Sequence, residues 1–295
     1  MNKLQICKWV VNTQESGQKL IHFLILKLHN QYSAKFLKKL VDQNTCKING
    51  KIERFASTIL WEGDSVILHL SENSLNPCQF EQERVLFEDE FILIYNKPMG
   101  MTCDDEGIQF LKKYSPCLQL VHRLDKETTG ALIFAKSEKI KSLFVEKFKQ
   151  YHIHKRYLTI VDGRVKKSTG IVENYLGKKK EYTGQSIWGE VDKEKGLYAC
   201  THWEKIDQGD QVTLMACYPK TGRTHQIRVH MAEMKHPLIG DFQYGKNFNF
   251  VDHVTHYYLH AESLEFNHPI TQKSIKIIAP IPNAFKTFLN KYFKI

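Results

Sequence analysis

His122-Arg123-Leu124-Asp125-Lys126-Glu127-Thr128-Thr129-Gly130 runs straight into Ala131-Leu132-Ile133-Phe134. A charged turn closed by glycine and followed by an apolar run reads as a loop feeding a buried strand. Asp125 stands there among His122, Arg123 and Lys126, a setting that suits a nucleophile or a general base. The same residues suit a solvated charged turn equally well, and local chemistry does not separate the two readings.

Outward from that loop, strands are expected at Phe91 to Tyr95, Leu118 to Val121, Ala131 to Ala135, Tyr157 to Val161 and Gln211 to Ala216. Between them, Glu138 to Gln150 reads as a helix capped by Ser137, with Ile140, Leu143, Phe144 and Phe148 on its inner side. Elements in this order predict an α+β fold rather than regular βα alternation.

Earlier in the chain, Lys19 to Leu28 and Ser33 to Val41 read as helices, the second with Phe36, Leu37, Leu40 and Val41 as its apolar face. A strand from Thr45 to Ile48 meets Asn49-Gly50, the strongest two-residue hairpin signal, and Ser65 to Leu70 is a further strand. Residues 71 to 84 lose apolar periodicity and contain Pro77, which marks a linker. The expected division is 1–70 as a small helix-helix-hairpin domain, 71–84 as linker and 85–295 as the larger domain.

The chain has 295 residues, net charge +10 and pI near 9.1, with 12% aromatic and 42% hydrophobic residues. That is a folded basic protein suited to a polyanionic partner. Residues 1–70 hold ten Lys and Arg against five Asp and Glu, half of the net positive charge. Seven cysteines, odd in number and never spaced Cys-x-x-Cys, fit neither a disulfide framework nor a zinc ribbon and suggest a reducing compartment. No signal-peptide pattern or membrane-length apolar run is present, so a cytoplasmic protein is expected. His225 and His230 are five apart, no clustered carboxylates accompany them, and neither glycine-rich nucleotide motif occurs. We therefore expect no metal, no nucleotide and no other cofactor.

Two more segments carry polar residues where a structural element alone would need fewer. In Lys155-Arg156-Tyr157-Leu158-Thr159-Ile160-Val161, Tyr157 shares a strand face with Thr159 and Val161. Thr221-Gly222-Arg223-Thr224-His225-Gln226-Ile227-Arg228-Val229-His230-Met231 reads as a glycine turn and a helix that Thr224 caps, with Ile227, Met231 and Met234 inward. Arg228 then lies at the edge of the apolar stripe, where it either snorkels or holds a carboxylate. His236-Pro237-Leu238-Ile239-Gly240-Asp241 with Tyr244-Gly245 reads as a structural tight loop.

Taken in order, these segments, together with Val85 to Gly100 and Leu259-His260-Ala261, resemble the motifs of the RluA family of pseudouridine synthases over residues 85 to about 285. Residues from about 15 to 70 resemble the S4-like RNA-binding domain, although Ala34 stands where that family usually has Arg. After Gly100 the synthases often have a histidine, whereas this chain reads Met101-Thr102-Cys103-Asp104-Asp105. The resemblance implies a mixed, largely antiparallel catalytic sheet behind a small S4-like domain. It also implies that a uridine within RNA has its N1–C1′ bond cleaved and its base rejoined through C5.

By this likeness Asp125 is the essential carboxylate, attacking C1′ or deprotonating C2′, and Arg228 pairs with it. Tyr157 packs on the base and helps remove the C5 proton, Ile227 lines the pocket, and Arg123 fills the space that the flipped nucleotide leaves. His122, Arg223, Lys35, Lys38 and Lys39 are candidate RNA contacts. The implied substrate is large-subunit ribosomal RNA, acted on by a monomer. Alternatives are transfer RNA as substrate, a non-catalytic RNA-binding ribosome-assembly factor, or a glycosidase-type hydrolase. For the last, the only nearby second carboxylate is Glu127, expected to point elsewhere.

Overall fold

The computed structural model describes residues 4–29, 32, 34–42, 45–71, 80–182, 185–245, 248–250, 254 and 256–293. The chain divides into two compact units, Met1–Gln79 and Phe80–Ile295.

In the first unit β1 (Leu4–Val10), β2 (Cys46–Ile48), β3 (Lys51–Glu53) and β4 (Ser65–Ser71) form an antiparallel sheet in the order β1-β4-β2-β3. Helices α1 (Leu20–Lys27) and α2 (Ala34–Asp42) pack with it. Leu20, Phe23 and Leu24 of α1 meet Leu37, Leu40 and Val41 of α2 and Val66 and Leu68 of β4 in one buried cluster. Asn49 and Gly50 both have positive φ, 51° and 79°, the pair of angles a tight primed hairpin turn requires. The cap expected from Ser33 lies outside the described residues, as does most of the expected linker, residues 72–79. Strand β1 was not expected from the sequence.

The second unit is built on a largely antiparallel sheet. Its elements are β5 (Val85–Glu88), β6 (Ile92–Lys97), α3 (Gln109–Tyr114), β7 (Gln119–Leu120), β8 (Thr129–Ala135) and α4 (Glu138–Lys149). They continue with β9 (His154–Asp162), β10 (Thr169–Tyr182), β11 (Gln185–Glu190), β12 (Leu197–Gln208), β13 (Val212–Pro219), α5 (Gln226–Glu233), β14 (Leu259–Asn267), β15 (Ser274–Ile278) and α6 (Asn283–Tyr292). The strand order is β11-β10-β12-β13-β9-β14-β8-β6-β5, with β15 beside β14 and β7 beside β8. Among the described residues the parallel contact is β14 with β8, a short seam of two pairs, His260 with Thr129 and Ala261 with Gly130.

Alternation along β9 sorts the faces as the sequence predicts. Leu158 and Ile160 join Leu214 and Ala216 of β13 beneath Phe285 and Phe288 of α6. Ala131, Ile133 and Ala135 of β8 pack against Ile140 and Phe144 of α4, whose amide at Ile140 is capped by Ser137 Oγ at 3.3 Å. Tyr157 points from the other face of β9, paired with Ala261 and Cys217 on its neighbours.

Two expectations are corrected. Thr224 does not cap α5: His225 holds the N-cap position without a side-chain cap, and the Gln226 side chain instead ties the preceding turn, accepting from the Arg223 amide at 3.0 Å and the Thr221 hydroxyl at 2.6 Å. Arg228 is not at the edge of an apolar stripe, because Gln226 through Met231 are all buried. The long strands β10, β11 and β12 were not expected either, since Lys178, Lys179, Lys180 and Glu181 on β10 and Glu204 and Lys205 on β12 interrupt any apolar alternation.

Candidate active site

The loop before β8 is fixed through its main chain. The Lys126 carbonyl accepts from the Gly100 amide at 2.8 Å and from the buried Lys97 ammonium at 3.0 Å, and the Asp125 carbonyl accepts from the Thr128 amide at 3.1 Å. The Leu124 amide donates to Cys103 Sγ at 3.4 Å. Past the loop, Gly130 has φ +109° and lies so close to the Ala261 carbonyl that a Cβ would collide with it. Thr129 Oγ1 and His260 Nδ1 are 2.8 Å apart across the same seam.

Asp125, 24% exposed, projects from this loop toward α5. Its Oδ2 accepts from Arg228 Nη1 at 3.3 Å. The rest of the guanidinium belongs to others: Nε and Nη2 donate to the two carboxylate oxygens of Asp241 at 2.6 and 3.0 Å, and Nη2 also donates to Gln243 at 2.8 Å. Its carbon lies over the rings of Tyr257 and Tyr244, 4.5 and 5.0 Å from their centroids. Burial alone would favour loss of the proton, but Asp241, Tyr257 and Asp125 outweigh it and hold Arg228 firmly cationic. Asp241 reaches this place because Gly240 adopts φ +82° against the His256 carbonyl, where a side chain would collide.

On the opposite side of Asp125 stands His225, its Nε2 3.9 Å from Oδ1. Burial, then Arg228, pushes the imidazole down to about 4, so it is neutral at physiological pH. Tyr157 is buried, and burial followed by the Asp125 charge raises its hydroxyl above the ordinary tyrosine value. It is a neutral phenol.

Six of the ten candidates, Asp125, Tyr157, Arg228, Arg123, Ile227 and Arg223, line one open cleft. Lys155 joins them, its ammonium donating to the Thr221 carbonyl at 3.0 Å and lowered to about 8 by burial and by Arg223 and Lys220. Arg223 donates to the Tyr198 carbonyl at 2.9 Å, and Arg123 is exposed. Asp125 is the one carboxylate among the described residues lining this cleft. Glu127 instead accepts from the Tyr257 amide at 3.4 Å.

His122 is not among the lining residues. Its Nε2 accepts from the Ile133 amide at 3.1 Å, its ring packs against Phe148, and burial, then Lys155, drives it to about 3. Lys38 is exposed on α2 in the first unit, whereas the side chains of Lys35 and Lys39 lie outside what is described. Among the described residues no three His, Cys, Asp or Glu side chains converge as a metal site would need, and no helix is long and apolar enough to cross a membrane.

Sequence reasoning missed Asp241, Gln243, Lys155 and the pairing of His225 with Tyr244. One signal was available for the first: a carboxylate directly after Leu238-Ile239-Gly240 is an acid in an apolar setting, and a buried acid needs a cationic partner.

The chain is similar to known proteins. Residues 91–233 match the family model described as RNA pseudouridylate synthase. A ribosomal large subunit pseudouridine synthase C of Buchnera aphidicola subsp. Baizongia pistaciae is 35% identical over 219 residues, covering 70% of this chain and 69% of that protein. A ribosomal large subunit pseudouridine synthase D of Buchnera aphidicola subsp. Schizaphis graminum is 31% identical, with 98% of each chain covered. The solved structure of human RNA pseudouridylate synthase domain containing 4 shares the fold at a TM-score of 0.59 and 22% identity, over 71% of this chain and 92% of that one. Likeness of this extent, reaching nearly end to end in one relative and spanning the cleft residues from Asp125 to Arg228, settles the matter: the chain belongs to the RluA-type RNA pseudouridine synthases, which are isomerases.

Proposed function

We propose that this enzyme isomerises uridines of large-subunit ribosomal RNA, with Asp125 as the reactive carboxylate. The observation that carries the assignment is the cleft itself, where a single carboxylate is faced by a guanidinium already fixed by Asp241. A side chain held in one orientation before substrate arrives loses little on reaching the transition state. Asp125 either adds to C1′ or takes the C2′ proton. In both routes the N1–C1′ bond breaks, the base turns, C5 bonds to C1′ as the Asp125 ester is displaced or the C2′ proton is returned, and the C5 proton leaves as N1 gains one. The atoms balance without a cofactor.

Tyr157 packs on the base. Its raised hydroxyl disfavours a phenolate, so it assists loss of the C5 proton through contacts rather than as a free base. Arg123, exposed at the rim, occupies the stack vacated by the flipped nucleotide, and Arg223 and Lys155 meet the RNA backbone. The first unit, with Lys38 exposed on its second helix, is an S4-like module that adds RNA affinity. The names of the relatives support ribosomal RNA as substrate, and hence the cytoplasm as compartment. One chain supplies every group of the cleft, in keeping with a monomer.

The test is to express wild type and Asp125→Ala in a host lacking its own synthases and to map pseudouridine in total RNA. Sites in large-subunit ribosomal RNA are expected with wild type and not with the variant. Modification confined to transfer RNA would overturn the substrate, and equal modification by both proteins would overturn the role of Asp125.

A further inference from the structure

His225 occupies an uneconomical position for a residue that only starts a helix. It is the N-cap of α5 with φ 56° and ψ 18°, a left-handed conformation uncommon outside glycine though more frequent for His, Asn and Asp than for other side chains, and its side chain makes no capping hydrogen bond. The Gln226 side chain is turned back to Thr221 and Arg223. The imidazole instead lies between Tyr244 and Asp125.

A hydrogen-bond chain reaches it from β11 through Tyr244. From β11, the Trp188 amide donates to the Tyr244 hydroxyl at 3.2 Å. The Tyr244 hydroxyl lies 2.7 Å from His225 Nδ1, and with its single proton directed there the phenol donates and the ring accepts. A neutral ring that accepts at Nδ1 carries its proton on Nε2, the nitrogen facing Asp125 Oδ1 at 3.9 Å. The other carboxylate oxygen, Oδ2, is already engaged by Arg228.

We propose that His225 is a positioning residue for Asp125, its Nε2–H directed at Oδ1, and that Tyr244 fixes the tautomer that makes this possible. The gap closes when RNA fills the cleft, as catalytic hydrogen bonds in empty sites commonly run long. A neutral donor orients the second oxygen without adding a further full charge that would blunt the carboxylate as nucleophile or base. The depressed imidazole agrees with that neutral role. No proton is transferred: the ring holds a direction. The proposal rests on Asp125 being the reactive carboxylate.

Three variants and one spectrum test it, using the whole 295-residue chain and total RNA from a host lacking endogenous synthases. Asn tolerates left-handed backbone and can still meet Tyr244, but it is too short to reach Asp125, so His225→Asn should lower kcat by about tenfold or more with KM within about twofold. Gln places an amide N–H near the site of Nε2, and His225→Gln should recover kcat to within about threefold of wild type. The imidazole 15N spectrum, assigned by its loss in His225→Asn, should show Nε2 protonated in wild type and a tautomer mixture in Tyr244→Phe.

Wild-type kcat in His225→Asn, or His225→Gln as slow as His225→Asn, would overturn the positioning role. A proton on Nδ1 in the wild-type spectrum would overturn the relay, whatever Asp125 does. Full activity in Asp125→Ala would overturn the assignment beneath it, a result the spectrum cannot mimic.

Discussion

Arg228 donates through Nε and Nη2 to both carboxylate oxygens of Asp241, at 2.6 and 3.0 Å, and both side chains are almost wholly withdrawn from solvent, at 4% and 0% exposure. Asp125 receives only the remaining Nη1, at 3.3 Å. The arginine is therefore anchored first to Asp241, and the more exposed Asp125 meets a cation whose position is already set. Stability and chemistry should separate at this guanidinium.

Replacing Asp241 with Asn leaves Arg228 buried with its bidentate partner gone. We expect Asp241→Asn to lose about 3 kcal/mol of stability, the scale for breaking a buried pair, and to cut kcat more than about tenfold. Asp125→Asn should unfold near the wild-type denaturant midpoint while making no pseudouridine. Denaturant melts beside product mapping check both, and equal stability losses would contradict the anchoring order.

Arg123 is exposed and planar, fit to stack on bases and hydrogen-bond at once. For Arg123→Lys, filter-binding affinity for RNA should stay within about threefold while single-turnover modification slows by about tenfold or more. Unchanged turnover would remove Arg123 from the flipping step.

Lys155 donates to the Thr221 carbonyl, lies over the Phe148 ring and beside Arg223 and Lys220, and is lowered to about 8. It is cationic below that pH and loses charge as pH rises through it. KM for RNA should therefore climb between pH 7.5 and 9 in wild type, about those limits being set by the titration, and stay flatter in Lys155→Met. The variant should also reduce the slope of log affinity against log salt by about one, as expected for one lost phosphate contact. A wild-type salt slope in Lys155→Met would exclude that contact.

His122 and His230 are held neutral by burial, at about 3 and about 4. Both lie below the ordinary 6.5, so the unfolded chain binds more protons in that window. Their contribution is complete above pH 6.5 or so and is lost as pH falls toward the folded values, at up to about 1.4 kcal/mol per pH unit for each histidine. Urea titrations at several pH values between neutrality and pH 5 or so should show falling stability, and a flat profile would rule out neutral buried rings.

The strands and helices with a clean apolar period were readable before any coordinates. The β9 alternation put Tyr157 on the face away from α6, and Ser137 caps α4 as expected. What escaped were features defined by tertiary partners. Asp241 looked like a turn residue because its arginine lies 13 positions earlier, on another element. Thr224 looked like a cap because the pattern cannot show that Gln226 folds back on Thr221 and Arg223. His122, placed in the site by its neighbour Asp125, turns the other way because the Ile133 amide needs an acceptor. Strands β10 to β12 were hidden by lysines that disrupt the apolar rhythm.

The loop bearing Asp125 hangs from carbonyls and amides: Lys126 O on Lys97 and Gly100, Asp125 O on Thr128, and Gly130 pressed to Ala261. Its geometry is held through the loop's own main chain, and the exposed Arg123 side chain stands outside these bonds. Substrate choice and reaction chemistry are thus separately adjustable within nine consecutive residues, and the rim can drift toward a new RNA while the carboxylate stays where it is.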